Sequence, residues 1–541
     1  MTIRFISVGI ALVFVLAVPF LLKPKDDLLA KADDTVVIVS PHNEAIRYEF
    51  TRAFSEFYER ETGRTVQVDW RLPGGTSEIG RFLASEYHAA FQNAWQKQGN
   101  TWTPEIGAAF DNGRIELPQN PADDTEAEAA RRAFLKSDVG IGIDLFFGGG
   151  AYDFIQQSNA GRLVDSGLIE AMPTVFSPDS IPEVVSGEPF YDPDGRWIGA
   201  CLSAFGICYN PDVLERSGFE QIPASWNDLA NPHLFKLVGL ADPTKSGSAA
   251  KAFEMMIQQQ MQERLRQLTA EQPDADQEAL TRQAVHEGWL RGLSLIQRAG
   301  ANARYFTDSA GKVPIDVSDG NAAIGMCIDF YGRYQSEAVK MPGKPSRLQY
   351  FTPEGGSSVG ADPIGLLRGA PNRDVAIRFM EFVLSIDGQK LWNFQVGTPG
   401  GPTRYALRRL PIRKELYAPE FTPFRSDPDV NPFLEAESFT YHPEWTAPLF
   451  SVLRFLVRIM SLDSHDEQAS AWKALIETDF PPEATARFSD LTAIDYTTAS
   501  GPIKEALRSA NPLEEVRLAR KLGERFRNQY REAQKLAEEG R

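Results

Sequence analysis

Thr35-Val-Val-Ile-Val39, Ser40-Pro-His-Asn43 and the run from Glu44 decide the fold. Thr35–Val39 reads as a short buried strand. Ser40-Pro-His-Asn43 turns the chain. From Glu44 the apolar positions Ile46, Phe50, Phe54 and Phe57 recur at helical spacing, which predicts a helix over Glu44–Glu61, and Gly63 stops it. Val66, Val68 and Trp70 then alternate with polar residues as a second strand, Thr65–Trp70. A strand, a helix and a strand in this order imply a parallel sheet, because parallel neighbours need a crossover.

The same alternation continues outward. Pro73-Gly-Gly-Thr-Ser77 turns into a helix expected over Glu78–Ala90, and Gly140–Phe147 reads as a strand ending in Gly148-Gly-Gly150. Between them, about Gln92 to Lys136, Gly, Pro and acidic residues suggest an insertion. Arg196–Tyr209 reads as one long apolar strand-like run. Leu237–Ala241 predicts a strand whose turn, Asp242–Ser248, leads into a helix over Ala249–Arg266, and a further helix is expected from about Glu278 to Arg298. Strands are expected at Ala322–Asp329 and Val359–Leu367, and helices at Asn372–Leu384 and Asp387–Phe394. In such an arrangement the loops at the carboxyl ends of the strands converge on a crevice.

After Tyr417 the pattern changes. Tyr417–Pro448 is rich in Pro and aromatics with little periodicity, and Leu449–Ile459 and Glu467–Ile476 look helical. Asn511 caps a last helix with Pro512 at its first position. Leu513, Val516, Leu522, Phe526, Tyr530 and Ala533 form its apolar stripe, the pattern of a docked helix.

Composition narrows the function. The chain has 541 residues and a net charge of −17, with 43% hydrophobic residues. That acidity opposes a nucleic-acid partner, which needs a basic stripe. Cys201, Cys208 and Cys327 sit among apolar neighbours and read as small buried hydrophobes. Arg4, the apolar run Phe5–Leu22 and Lys23-Pro-Lys25 have the parts of an export signal, either cleaved near Ala30-Lys-Ala32 or kept as a membrane anchor. Both readings place the chain from about Asp33 outside the cytoplasm.

Several stretches together resemble the periplasmic solute-binding proteins of ABC importers, in the branch of ferric-ion binders and binders of phosphorylated or phosphonate compounds. They are Val36–Phe57, Ile222-Pro-Ala-Ser-Trp-Asn-Asp-Leu229 with Val238–Ser248, Asn321–Tyr331 and Leu366–Gln389, in order over Thr35–Ile412. The resemblance implies an α/β, two-lobed periplasmic-binding-protein fold of type II. It divides the chain into a signal or anchor (1–32), lobe 1 (35–200, with the insertion at about 92–136), lobe 2 (201–358), a return to lobe 1 (359–412) and a helical C-terminal extension (413–541). The crossings fall near Cys201–Ile207 and Val359–Gly365. It also implies an ABC transporter permease as partner, and as ligand either a ferric ion with an anion or a phosphorylated or phosphonate compound. No resident cofactor is implied.

The resemblance carries over to particular residues. Ser246, Gly247 and Ser248 fall on the turn that holds an anion in the ferric branch, and unpaired N–H groups at a helix start suit that task; an ordinary cap by Ser246 is the alternative. His42 falls where ferric binders carry a metal-ligating His, and it also fits a capping position. Asp329-Phe330-Tyr331 falls where they carry adjacent tyrosines, of which only Tyr331 remains; Asp329 could add an oxygen, and Tyr331 also fits a half-buried core position. His42 and Tyr331 are therefore the candidate metal ligands. Gly148 or Gly149 stands in place of the family's acidic ligand, and Gly149 is the candidate contact, since these glycines let backbone N–H groups approach. Thr76 and Ser77 are candidate hydrogen-bond donors at the same crevice. Gly356-Ser-Ser358-Val-Gly360 matches a hydrolase nucleophile turn, but the residues that follow read as a strand where that turn needs a helix. A membrane-anchored sensor or scaffold using the same cleft is the other alternative to transport.

Overall fold

The computed structural model describes residues 32–541 apart from 220 and 510; the apolar run read as a signal or anchor lies outside the described residues. The chain lays down two β-sheets in alternating passes. The first pass contains β1 (Asp34–Val39), α1 (Glu44–Thr62), β2 (Val66–Arg71), α2 (Thr76–Lys97), β3 (Leu145–Phe147), α3 (Ala151–Ala160) and β4 (Ile198–Ser203). The second contains β5 (Phe205–Tyr209), β6 (Val238–Ala241), α4 (Gly247–Glu271), α5 (Gln277–Asn302), β7 (Ala303–Thr307), β8 (Ile324–Ile328), α6 (Asp329–Ala338) and β9 (Gln349–Phe351). The chain then returns through β10 (Gly360–Leu367), α7 (Arg373–Leu384) and β11 (Leu410–Pro411). It ends in the helices α8 (Phe450–Val457), α9 (His465–Glu477) and α10 (Pro512–Glu538).

The first sheet runs β11-β4-β10-β3-β1-β2 and the second β7-β6-β8-β5-β9. In the first, β1 pairs in parallel with both β2 and β3, while β10 and β4 run antiparallel. In the second, β6 pairs in parallel with β7 and β8, and β5 and β9 run antiparallel. Val36, Ile38 and Val39 of β1 are fully buried because helices cover both faces of the sheet. Asn43 caps α1 by accepting from Ile46 N, and Gly63, in the left-handed region at φ 69°, closes it with a bond from its N–H to Glu59 O.

The run Arg196–Tyr209 is two strands rather than one. β4 belongs to the first sheet and β5 to the second, and Ala204 alone separates them. Nearly every side chain on either side is buried, so the apolar pattern shows no gap where the chain changes lobe. Asp329 N donates to Ala204 O at 3.0 Å and pins the crossing.

The stretch expected as an insertion is built into lobe 1. Helix α2 runs on to Lys97, and the helices Pro104–Ala109 and Glu126–Lys136 bury Ile106, Phe110 and Phe134 with Leu83, Phe146 and Phe154. The strand expected over Gly140–Phe147 is limited to Leu145–Phe147. From Phe439 onward the C-terminal residues share one core with lobe 2: Leu453, Leu456, Phe488, Phe526 and Tyr530 pack with Trp226, Met255 and Trp289. The polar groups carried into this core are matched. Trp289 Nε1 donates to Ile494 O at 2.9 Å and Gln297 Nε2 to Phe488 O at 2.9 Å. Within α10, Leu522, Phe526, Tyr530 and Ala533 are buried, whereas Leu513 and Val516 are exposed because the first turns of the helix project past the core. Pro443–Leu462 is long and apolar enough to cross a membrane, but Val452, Leu453, Leu456, Val457 and Met460 are buried inside lobe 2. Cys201, Cys208 and Cys327 are buried free thiols.

Candidate functional site

Six loops at the carboxyl ends of parallel strands meet in a cavity of about 600 Å³ between the sheets. From the first sheet come Pro41–Asn43 after β1, Gly74–Thr76 after β2 and Gly149–Gly150 after β3. From the second come Lys245–Ser248 after β6, Asp308–Ala310 after β7 and Phe330–Tyr331 after β8. This is the place where open α/β sheets offer exposed helix starts and unpaired backbone groups.

The amino termini of α2, α3 and α4 all border this space, and each contributes a partial positive charge. Gly75 and Gly150 stand at the first two N-caps and supply no side-chain acceptor. At the third, Ser246 Oγ accepts from Ala249 N at 3.2 Å, the ordinary cap, and its own O–H remains available. Among the described residues, the N–H groups of Gly247 and Ser248 find no acceptor. The glycines after β3 are sterically required. A Cβ at Gly148 (φ 92°) would overlap the His42 imidazole, and one at Gly149 (φ 121°) would overlap Thr76.

His42 is 7% exposed and lies edge-on to Phe147 with ring centroids 4.6 Å apart. Burial, then the charges of Arg409 and Arg47, push its pKa well below the usual imidazole value, so the ring is neutral near pH 7. Arg409 Nη1 lies 3.4 Å from His42 Nε2. A guanidinium can only donate, so Nε2 is the acceptor and Nδ1 carries the proton. Nδ1 is buried without a partner. His42 thus keeps a spare N–H donor, and its lone pair is engaged.

Arg409 is 1% exposed and lies over the Phe330 ring, 4.2 Å from its centroid. It is ion-paired with Asp362 and donates to Ser203 Oγ at 2.9 Å, while its Nε has no partner. Pairing of β11 with β4, Leu410 opposite Leu202, sets it there. Sequence reading missed it because a two-residue strand leaves no periodic signal.

Tyr331 borders the cavity, and burial raises its pKa, so it presents a phenol rather than a phenolate. Asp329 does not reach the cavity. It is fully buried, ion-paired with Arg333, and accepts from Phe330 N at 2.7 Å. Ser77 also lies off the cavity lining, its Oγ accepting from Arg454 Nη2 at 2.9 Å. The structure therefore brings His42, Thr76, Gly149, Ser246, Gly247, Ser248 and Tyr331 together, and leaves Asp329 and Ser77 outside. Among the described residues, no group of three or more His, Cys, Asp or Glu is gathered to hold a metal ion.

Charged side chains missed from the sequence also border the space. Lys251 lies between Glu188 and Glu254, 2.9 Å from an oxygen of each, with its ammonium 3.6 Å from the Tyr441 ring centroid. Burial alone would depress this lysine, but the two carboxylates and Tyr441 hold its pKa well above the usual value. Lys245 pairs with Asp308 at 2.7 Å, and Glu78 with Arg81 at 2.8 Å. Among the described residues Asp153 makes no ion pair. Burial raises its carboxyl to about 6, and Arg454 opposes the rise. Its Oδ2 lies 3.7 Å from where a Cβ on Gly247 would stand, on the other side of the cleft. Ser358 is not among the lining residues: its Oγ donates to Glu188 Oε1 at 2.5 Å, and strand β10 follows it.

Two α/β sheets joined by crossing segments, with helix starts from both facing one enclosed space, define a two-lobed ligand-binding protein. Residues 138–421 match the family model of the bacterial extracellular solute-binding proteins, and the chain belongs to that family. It is similar to an uncharacterized protein of Haemophilus influenzae, 27% identical over 252 residues that span 46% of this chain and 60% of that relative. Solved structures similar to it include the periplasmic binding protein AfuA from Actinobacillus pleuropneumoniae with fructose-6-phosphate bound. That match has 17% identity over 66% of this chain and 82% of that one, with TM-score 0.42. Another is iron-bound HitA from Pseudomonas aeruginosa, with 14% identity over 78% and 99% of the two chains and TM-score 0.44.

Proposed function

We propose that the protein captures a small organic compound bearing a phosphate or phosphonate group in the interlobe cavity and hands it unchanged to an ABC importer. The observation that supports this most directly is the convergence of three helix N-termini, drawn from both lobes, on one enclosed space. In this reading the N–H groups of Gly247 and Ser248, the Nδ1–H of His42, and the hydroxyls of Ser246, Ser248, Thr76 and Tyr331 hold the anionic group. Groups from both lobes are needed, so the ligand favours the closed molecule, which is how occupancy would be read by a transporter.

A ferric ion with a bound anion is less well supported. The lone pair of His42 is engaged by a cation, Tyr331 is held as a phenol, and Asp329 is spent on Arg333. A cavity of about 600 Å³ also suits an organic molecule far better than one ion and its anion. Binding is non-covalent in this proposal, since Ser358 serves Glu188. The site of action is extracytoplasmic, with residues 1–32 as export signal or inner-membrane tether. Mass spectrometry and elemental analysis of whatever co-purifies test the reading. A phosphorus-containing organic ligand is expected, and stoichiometric iron without phosphorus would overturn it.

A further inference from the structure

The wall of the cavity is not made by the two lobes alone. Tyr441, Pro443, Ala447 and Phe450 border it, and all four belong to the C-terminal extension. A polar ridge along α4, with the spacing of one helix face, fastens this segment in place. Lys251 lies under the Tyr441 ring, and Glu254 Oε1 accepts from Tyr441 Oη at 2.9 Å and from Thr446 Oγ1 at 2.6 Å. Gln258 Nε2 donates to His442 O and Thr446 Oγ1, each at 2.7 Å, and Gln262 Nε2 donates to Thr440 O at 2.9 Å. Phe450 then reaches lobe 1, its ring centroid 4.5 Å from that of Tyr152. Lobe 1 adds Ile155 and Pro189 to the same lining.

Lys251 is four residues beyond Gly247, so this wall begins about 6 Å along α4 from the free amides. That distance is the reach from a phosphoryl group to the body of its ester. We propose that the extension forms a second, largely apolar subsite for the organic part of the ligand. The cargo is then a phosphate or phosphonate with an apolar or ring-containing body rather than bare phosphate. This rests on the anion reading of the cavity given above.

Calorimetric titration of the exported chain with inorganic phosphate and with phenyl phosphate tests the two separately. Phenyl phosphate is expected to bind at least tenfold more tightly. Ala447→Phe, which fills the subsite from its own wall, should erase that advantage and leave phosphate affinity within about twofold. Phe450→Ala should shrink the advantage, and a thermal melt of each variant guards against misfolding. Equal affinities for the two probes, or an equal loss of both in Ala447→Phe, would overturn the subsite. Failure of both probes to bind the wild type would overturn the anion reading and the subsite with it.

Discussion

Arg454 Nη2 donates to Ser77 Oγ at 2.9 Å, from a helix fused to lobe 2 onto the first turn of a helix in lobe 1. The same guanidinium donates to Pro243 O at 2.7 Å and Thr244 O at 2.8 Å, just before the turn that opens α4. One side chain therefore ties the two halves together, next to the turns that open α2 and α4. A hydrogen bond from a charged group contributes about 1.5–3 kcal/mol. Arg454→Gln should weaken phenyl phosphate binding about tenfold and reduce the compaction seen by small-angle scattering when ligand is added. Unchanged compaction would show that Arg454 takes no part in closure.

Gly247→Glu should abolish binding of inorganic phosphate, because a carboxylate would enter the space that faces the free amides. Ser246→Ala removes the cap that accepts from Ala249 N and should cost about 1 kcal/mol of stability together with some affinity. Urea denaturation and calorimetry read the two effects. Full affinity in Gly247→Glu would move the anion site elsewhere.

The strand ends that carry the site were legible in the sequence because short apolar runs broken by Pro, Gly, Ser and Asn mark them: Ser40–Asn43, Pro73–Ser77, Gly148–Gly150 and Asp242–Ser248. The chain crossing at Ala204 was not legible, since β4 and β5 are almost equally apolar and their junction has no turn signal. Asp329 was misread because adjacency to Tyr331 says nothing of where each side chain goes. At the start of α6 the two diverge, Asp329 toward Arg333, four residues on, and Tyr331 toward the cavity. Arg409, Lys251 and Tyr441 reach the site only through long-range packing that no local pattern announces. Tyr417–Pro448 shows little periodicity for the same reason: its segments are short and are positioned from outside, Arg425 and Asp427 by Phe394 and Asn393 of lobe 1, and residues 440–446 by α4.

His42 and Asp153 should leave opposite marks on pH dependence. The unfolded chain protonates His42 near 6.5, whereas the folded one does so only well below that. Its contribution to stability is therefore lost as pH falls beneath about 6.5. His42→Asn should show a flatter melting-temperature profile than wild type between about pH 6.5 and pH 5. Parallel profiles would contradict a buried neutral imidazole.

Asp153, with its carboxyl raised to about 6, is charged at pH 8 and opposes an anion at Gly247. Arg454 faces it from α8 and offsets part of that repulsion. Asp153→Asn should bind phosphate about tenfold more tightly than wild type at pH 8, and the difference should vanish by pH 5. Taking the difference between the two proteins removes the titration of the probe itself. A pH-independent ratio would show that Asp153 does not face the ligand.

Ferric citrate added to the purified protein should give no phenolate charge-transfer colour. A visible band that Tyr331→Phe removes would reinstate the metal reading.

Lys251, Glu254, Gln258 and Gln262 form a ridge that holds residues 440–447, and its first member also pairs with Glu188 of lobe 1. Deleting that stretch would take from buried Glu254 the hydroxyls of Tyr441 and Thr446, and from buried Gln258 both of its acceptors, and leaving such groups unpaired is destabilising. A descendant that shed its tail would therefore have to rewrite α4 in the same step. Tail and ridge are inherited as a set, and a homologue retaining one without the other should not persist.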